Sequence, residues 1–152
     1  MDISARTDYA VRAMLALAAA EGEGPVSVDA LARAQGLPGK FLEAVVADLR
    51  VAGLVQSRRG AHGGYALARP AAEIVVGEVF RAVSGPLAEV RGLRPQDTSY
   101  TGVAEHLPAL WVAVRSSLRD VLDRTTLADL LAGDLPAHVR DLLEQPEAWV
   151  NR

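Results

Sequence analysis

The chain has 152 residues, half of them apolar but only 5% aromatic, so its core must come mainly from Leu, Val and Ala on helices, and the length suits either one domain or a small domain plus an element that packs on a partner. It contains no cysteine, which excludes disulfides, thiolate zinc sites, cysteine nucleophiles and thiolate-held iron–sulphur clusters. The formal net charge of −3 argues against a nucleic-acid binder, but between Arg33 and Arg69 six basic residues face two acidic ones, and the acidic excess lies mostly after Pro86.

From Thr7 to Ala20 the apolar residues Ala10, Ala13, Met14, Leu17 and Ala18 recur in steps of three and four, which predicts an amphipathic helix. The uncharged run from Ala13 to Ala20 is too short to span a bilayer, so neither a signal peptide nor a membrane segment is expected. Ser27 stands at an N-cap position before a short second helix. Gln35, Gly36 and Leu37 form a tight turn, and Pro38 suits the first position of a third helix. In that helix Leu42, Val45, Val46 and Leu49 share one face, while Gly39, Lys40, Glu43, Ala47 and Arg50 lie on or near the other. This is a helix-turn-helix pattern, which structural helical hairpins can share.

The segment after it narrows the reading. Residues 53–58 and 65–68 read as two strands joined by Arg59, Gly60, Ala61, His62, Gly63 and Gly64, the wing of a winged helix. A nucleotide-phosphate loop would need a helix directly after the glycines, and a strand pattern follows instead. Residues 74–83 read as a docking segment and a short closing helix. The stretch to about Gly102 has turn composition and little periodicity, so a poorly ordered loop is expected there.

A long helix follows, carrying the apolar stripe Leu107, Leu110, Trp111, Val114, Leu118, Val121 and Leu122. Thr126 and Asp129 form an N-cap signature for a short helix stopped at Gly133, and a last helix is expected from Pro136 to Gln145. The stripe either completes its own domain or pairs across a twofold axis. The second account is preferred, because the preceding domain already reads as complete and helix-turn-helix proteins use dimers to span two half-sites. The expected organisation is a mainly α fold with a small β-wing. Residues 1–86 form the winged helix-turn-helix, 87–104 a linker, 105–133 the dimerisation helix with a short helix, and 134–152 a C-terminal helix and tail.

With these residues in place the chain resembles the Rrf2 family of bacterial regulators, which includes IscR-like, NsrR-like and CymR-like proteins. The resemblance rests on residues 9–15, on Phe41, Leu42 and Glu43, on 48–55, on the wing string 57–65, and on 76–79. It implies a third helix in the major groove, a wing at the adjacent minor groove, and long helices crossing in a homodimer on a pseudo-palindromic operator in double-stranded DNA. Glu43 matches the family's base-reading acid, which would accept from a cytosine amino group, and Arg59 its minor-groove arginine. Ser27, Gly39, Lys40, Arg58, Gly60 and Tyr65 would fix the phosphate register, with Pro38, His62, Gly63 and Gly64 completing the surface. A competing reading pairs Glu43 with Lys40 as ordinary helix charges.

Cluster-bearing members hold an iron–sulphur centre with three cysteines before the long helix, and this chain has Arg91, Gly92, Leu93, Arg94, Gln96 and Asp97 there. No cofactor and no metal are therefore expected, and His106 reads as a helix-start residue. The function implied is a cytoplasmic transcription regulator, a repressor answering to a small-molecule effector, a protein partner or its own concentration. The alternative is a winged-helix adaptor that has lost DNA contact. No catalytic constellation is visible, so an enzyme is not expected.

Overall fold

In the computed structural model, which describes residues 2–151, seven α-helices and one two-stranded sheet follow one another along the chain. Helix α1 (Ala5–Ala19) begins at Ser4, whose hydroxyl accepts from the Thr7 amide at 3.2 Å, a cap two residues ahead of the sequence expectation. Ser27 caps α2 (Val28–Gln35) by accepting from the Ala30 amide at 3.1 Å. Gly36 ends α2 with φ 63°, a left-handed geometry that costs other residues a clash between Cβ and backbone. Helix α3 (Gly39–Val51) starts one residue later than expected, because Pro38 stays extended at ψ 120° and serves as the cap.

Strands β1 (Val55–Arg58) and β2 (Gly64–Leu67) pair antiparallel, with Arg58 opposite Gly64 and Val55 opposite Leu67. Val26 adds a third rung: it exchanges two 2.8 Å backbone hydrogen bonds with Tyr65, fastening the wing to the entrance of α2. A 3₁₀ turn at Ala71–Glu73 leads into α4 (Val76–Ser84), where Glu78 reaches back to accept from the Val75 amide at 3.2 Å.

Helix α1 runs through the centre. Its Ala10, Ala13 and Met14 are fully enclosed by Leu31 of α2, by Leu42, Val45, Val46 and Leu49 of α3, and by Val79 of α4. The small residues of α1 let the neighbouring helices approach closely, so the alanine-rich composition is spent at the middle of the core.

Beyond α4 the chain is more structured than its turn composition implies. Val90 and Leu93 exchange backbone hydrogen bonds across Arg91 and Gly92, both at positive φ, as in a two-residue hairpin turn. Pro95 is buried at the start of a 3₁₀ turn (Pro95–Asp97) that packs on α5 (Leu107–Leu122), and Arg115 donates to Gln96 at 2.6 Å. The stretch expected to be a poorly ordered loop thus holds short turns with contacts of their own, because the surface that carries them belongs to a helix further along the chain.

Helix α6 (Leu127–Ala132) then returns to the first half. Thr126 and Asp129 cap it reciprocally at 3.1 and 2.8 Å, and Gly133 ends it with φ 67°. Leu127 is completely buried in the α1 core, its amide donates to Ile74, and the Val76 amide donates to Thr125. A boundary at residue 86 therefore cuts across one continuous core. Helix α7 (Ala137–Leu143) ends two residues before Gln145 and lies outside that core, with no fully buried residue.

Candidate nucleic-acid interface

The amphipathic pattern of α3 fixes which way it faces. Once Leu42, Val45, Val46 and Leu49 turn inward, Lys40, Glu43, Ala44, Ala47 and Arg50 must be exposed, with Gly39 half-buried beside them. Glu43 and Lys40 form no ion pair with each other, and among the described residues neither has another partner, so both side chains are available to a ligand.

The pose of α3 depends on residues that periodicity does not single out. Tyr9 of α1 meets Phe41 of α3 edge to face, with ring centroids 5.5 Å apart. Arg6 lies over the Phe41 ring at 6.0 Å and pairs with Asp48, seven residues along α3. Arg12 covers the other ring, Tyr9, at 5.9 Å and reaches the Gln35 carbonyl at the end of α2. Two arginines and two rings on one face thus clamp α1, α2 and α3 together, each contact adding to the area buried. With only two phenylalanines and three tyrosines in the chain, the aromatic pair was the signal available for this clamp.

The wing projects beside α3. Arg58, Arg59, Gly60, Ala61 and His62 are exposed, while Gly63, Gly64 and Tyr65 are half-buried. A Cβ at Gly63 would strike the Arg58 carbonyl, and one at Gly64 would strike the backbone of Val26. These two glycines are demanded by the close folding of the wing on itself and on the strand before α2. Ser27 is exposed at the mouth of α2, and Pro38 is exposed at the start of α3.

Charge is distributed unevenly between paired and unpaired cations. Arg6, Arg12, Arg69, Arg81, Arg124 and Arg140 each have a carboxylate partner. Arg33, Lys40, Arg50, Arg58 and Arg59 are exposed and have none among the described residues. These five belong to α2, α3 and the wing, while Arg91, Arg94 and Arg119, likewise exposed without a carboxylate, lie beyond α4, so a fold with net charge −3 carries a locally positive surface on the helix-turn-helix and wing as one of two such regions.

The long helix offers a different surface. No residue of α5 is fully buried, and Leu110 is 53% exposed. Leu107, Trp111, Val114, Leu118, Val121 and Leu122 are half-buried, and the Trp111 indole N–H is enclosed without an acceptor. Val114, Leu118, Val121 and Leu122 form one wall of an apolar groove of about 800 Å³, with Phe80 and Leu87 opposite. On the polar side the Arg124 guanidinium, 2.5 Å from Asp120, holds that carboxyl below its ordinary value. His106 stands at the start of α5 as expected, largely exposed, beside Glu105 at 3.4 Å.

A winged helix-turn-helix with an outward-facing third helix and a basic wing is the architecture of a DNA-binding transcriptional regulator. Residues 3–133 match the Rrf2 family, described as an iron-dependent transcriptional regulator, and the chain belongs to that family. It is 47% identical over 148 residues to Rv1287 of Mycobacterium tuberculosis, provisionally named an HTH-type transcriptional regulator, covering 97% of this chain and 92% of the relative. The HTH-type transcriptional regulator CymR of Bacillus subtilis is 38% identical, over 86% of this chain and 89% of its own. Among solved structures, CymR, titled the global cysteine regulator of B. subtilis, superposes with TM-score 0.74 at 36% identity, over 88% of this chain and 98% of that one. IscR of T. potens gives 0.69 at 37%, over 100% and 93%.

The iron in the family's description finds no fitting donor set in this chain. There is no cysteine, and among the described residues no three His, Asp or Glu side chains converge as ligands. Nor is any described helix long and apolar enough to cross a membrane.

Proposed function

We propose that the chain acts in the cytoplasm as a homodimeric repressor that reads a pseudo-palindromic operator with α3 and the wing. The observation that carries this reading is the concentration of five exposed cations without ion pairs on α2, α3 and the wing, together with an unpaired Glu43 on α3. Lys40, Arg58, Ser27, Gly39, Gly60 and Tyr65 fix the phosphate register, with Pro38 setting the start of α3 and His62 approaching the backbone. Glu43 accepts from a cytosine amino group in the major groove, and Arg59 enters the narrow minor groove, whose negative potential attracts it.

The second copy covers the apolar face of α5. The stripe Leu107, Leu110, Trp111, Val114, Leu118, Val121 and Leu122 is supported as a dimer seam by its lack of any fully buried member in the single chain. Two α3 helices related by a twofold axis would then meet successive major grooves.

Fluorescence anisotropy on a labelled duplex from the chain's own promoter and on a shuffled duplex, across a range of salt, tests the proposal. The expected result is tighter binding to the promoter and affinity that falls steeply with salt. Weak, equal binding to both, unchanged when Arg58 and Arg59 are replaced by alanine, would instead make this a protein-binding adaptor.

A further inference from the structure

Among the described residues four arginines outside α2, α3 and the wing lack a carboxylate partner; Arg91 lies over the Tyr100 ring at 5.6 Å, and the other three gather in one place. Arg94 from the segment after α4, together with Arg115 and Arg119 one turn apart on α5, lines a cavity of about 400 Å³ that also includes Arg81 of α4. Arg81 is paired with Asp123 at 2.9 Å. Arg115 donates to the amide oxygen of Gln96, which leaves its charge uncompensated. Arg94 and Arg119 have neither an ion pair nor a hydrogen bond among the described residues. The acid on the cavity wall, Glu89, is itself unpaired. Four guanidinium groups thus face one wall carboxylate and the one held by Arg81, an excess of two positive charges inside a concavity. Like charges so placed repel one another unless an anion joins them.

One residue of the cavity wall is also held in an unfavourable backbone conformation. Among the described residues the non-glycines with positive φ are Ala88 and Arg91, both at 54°. Ala88 lines the cavity, whereas Arg91 takes its φ from the two-residue turn between Val90 and Leu93. Left-handed backbone at a residue with a Cβ persists only where surrounding contacts hold it, and such positions concentrate at ligand sites.

We propose that this cavity binds a small phosphate monoester or pyrophosphate-like anion, and that occupancy adjusts how α5 sits on the winged helix. A phosphate group carries close to two negative charges near neutral pH, which matches the local excess, and its oxygens accept the paired N–H donors of guanidinium forks. The volume is that of a small-ligand site and leaves room for an organic remainder. The walls come from α4, which packs on α1 and α3, and from α5, the helix assigned to the dimer seam. A ligand bridging them couples effector binding to the spacing of two reading helices. The coupling rests on the DNA-binding dimer proposed above; the site itself does not.

Isothermal titration calorimetry of the full chain with sodium pyrophosphate at constant ionic strength tests the site. The expected result is saturable binding, one anion per protomer. Arg119→Ala and Arg94→Ala, both at exposed positions, should each weaken it by at least about tenfold, while Arg59→Ala leaves it unchanged. Arg119→Lys, which keeps the charge and loses the fork, should fall between, and thermal melts check that every variant is folded. No saturable heat, or binding that survives Arg119→Ala and falls with Arg59→Ala, overturns the assignment. Anisotropy on the promoter duplex separates the two readings. A pyrophosphate-dependent change in DNA affinity that disappears in Arg119→Ala supports the coupling, and identical affinity with and without the anion refutes it. Pyrophosphate binding through Arg119 by a chain with no DNA affinity would leave the cavity assigned and bring down the operator-reading dimer.

Discussion

Replacing Lys40 by alanine should flatten the salt dependence of DNA binding by an amount that also counts the protomers on the duplex. Lys40 is one of five exposed cations on the reading face without an ion pair among the described residues. Each phosphate neutralised contributes about −0.9 to the slope of log K against log salt. Five cations per protomer, doubled in a symmetric dimer, set a ceiling of about −9 if all of them reach phosphates. The real slope should be shallower, since Arg33 sits in the last turn of α2 and Arg50 near the end of α3. Lys40→Ala removes two contacts from a dimer and should reduce the slope by about 1.8, against about 0.9 for a monomer. Its loss of affinity should be equal on promoter and shuffled duplexes, because phosphate contacts carry no sequence information. Glu43→Ala is the counterpart: the slope should hold, while discrimination between bases falls by about 1–3 kcal/mol per half-site. Anisotropy titrations at a series of sodium chloride concentrations give both quantities. An unchanged slope in Lys40→Ala, or a uniform loss across sequences in Glu43→Ala, would refute the assigned roles.

Three further substitutions probe the architecture. Gly64→Ala should cost about 1–3 kcal/mol or more, read by urea unfolding, because its methyl group would collide with the Val26 backbone; a variant as stable as the parent would show that the wing can rearrange freely. Phe41→Ala removes the edge-to-face contact with Tyr9 and the ring beneath Arg6, and should lower stability by about 1–2 kcal/mol. It should weaken DNA binding without changing the salt slope, whereas a changed slope would place Phe41 in the phosphate contacts themselves. Leu118→Asp should convert a dimer to monomers in sedimentation equilibrium while circular dichroism keeps its helical signal, since α5 supplies no fully buried residue to the core. A dimer that survives this change would move the seam elsewhere.

The winged helix and the bounds of α6 were legible because local rules and burial agree there. Ser27, Gly36, Thr126 and Gly133 each carry the side-chain or φ preference their cap demands, and the inward residues of α3 recur at helical spacing. The structure adds pairings between distant parts of the chain. Val26 looks like the tail of a loop until Tyr65 is placed opposite it, and Pro95 looks like a turn breaker until α5 packs over it. Leu127 belongs by periodicity to a late short helix, and only the assembled core shows its contact with α1. The Arg6, Tyr9, Phe41 and Asp48 clamp lies outside the apolar stripes, so hydrophobic periodicity passes over it. The wing glycines were legible as glycines of a wing, but the clash that requires them at 63 and 64 depends on backbone neighbours in three dimensions.

The return of α6 onto Ile74 and Val76 sets an order of events during synthesis. The nascent chain cannot finish its first core until Thr125 and Leu127 have left the ribosome, because those residues supply backbone partners and a fully enclosed side chain to it. Domains generally fold as units as the chain emerges. Here the unit closes only after α5 has been made. The third helix is therefore fixed in place only in a molecule that already carries α5, so any second copy that α5 recruits would meet a finished core.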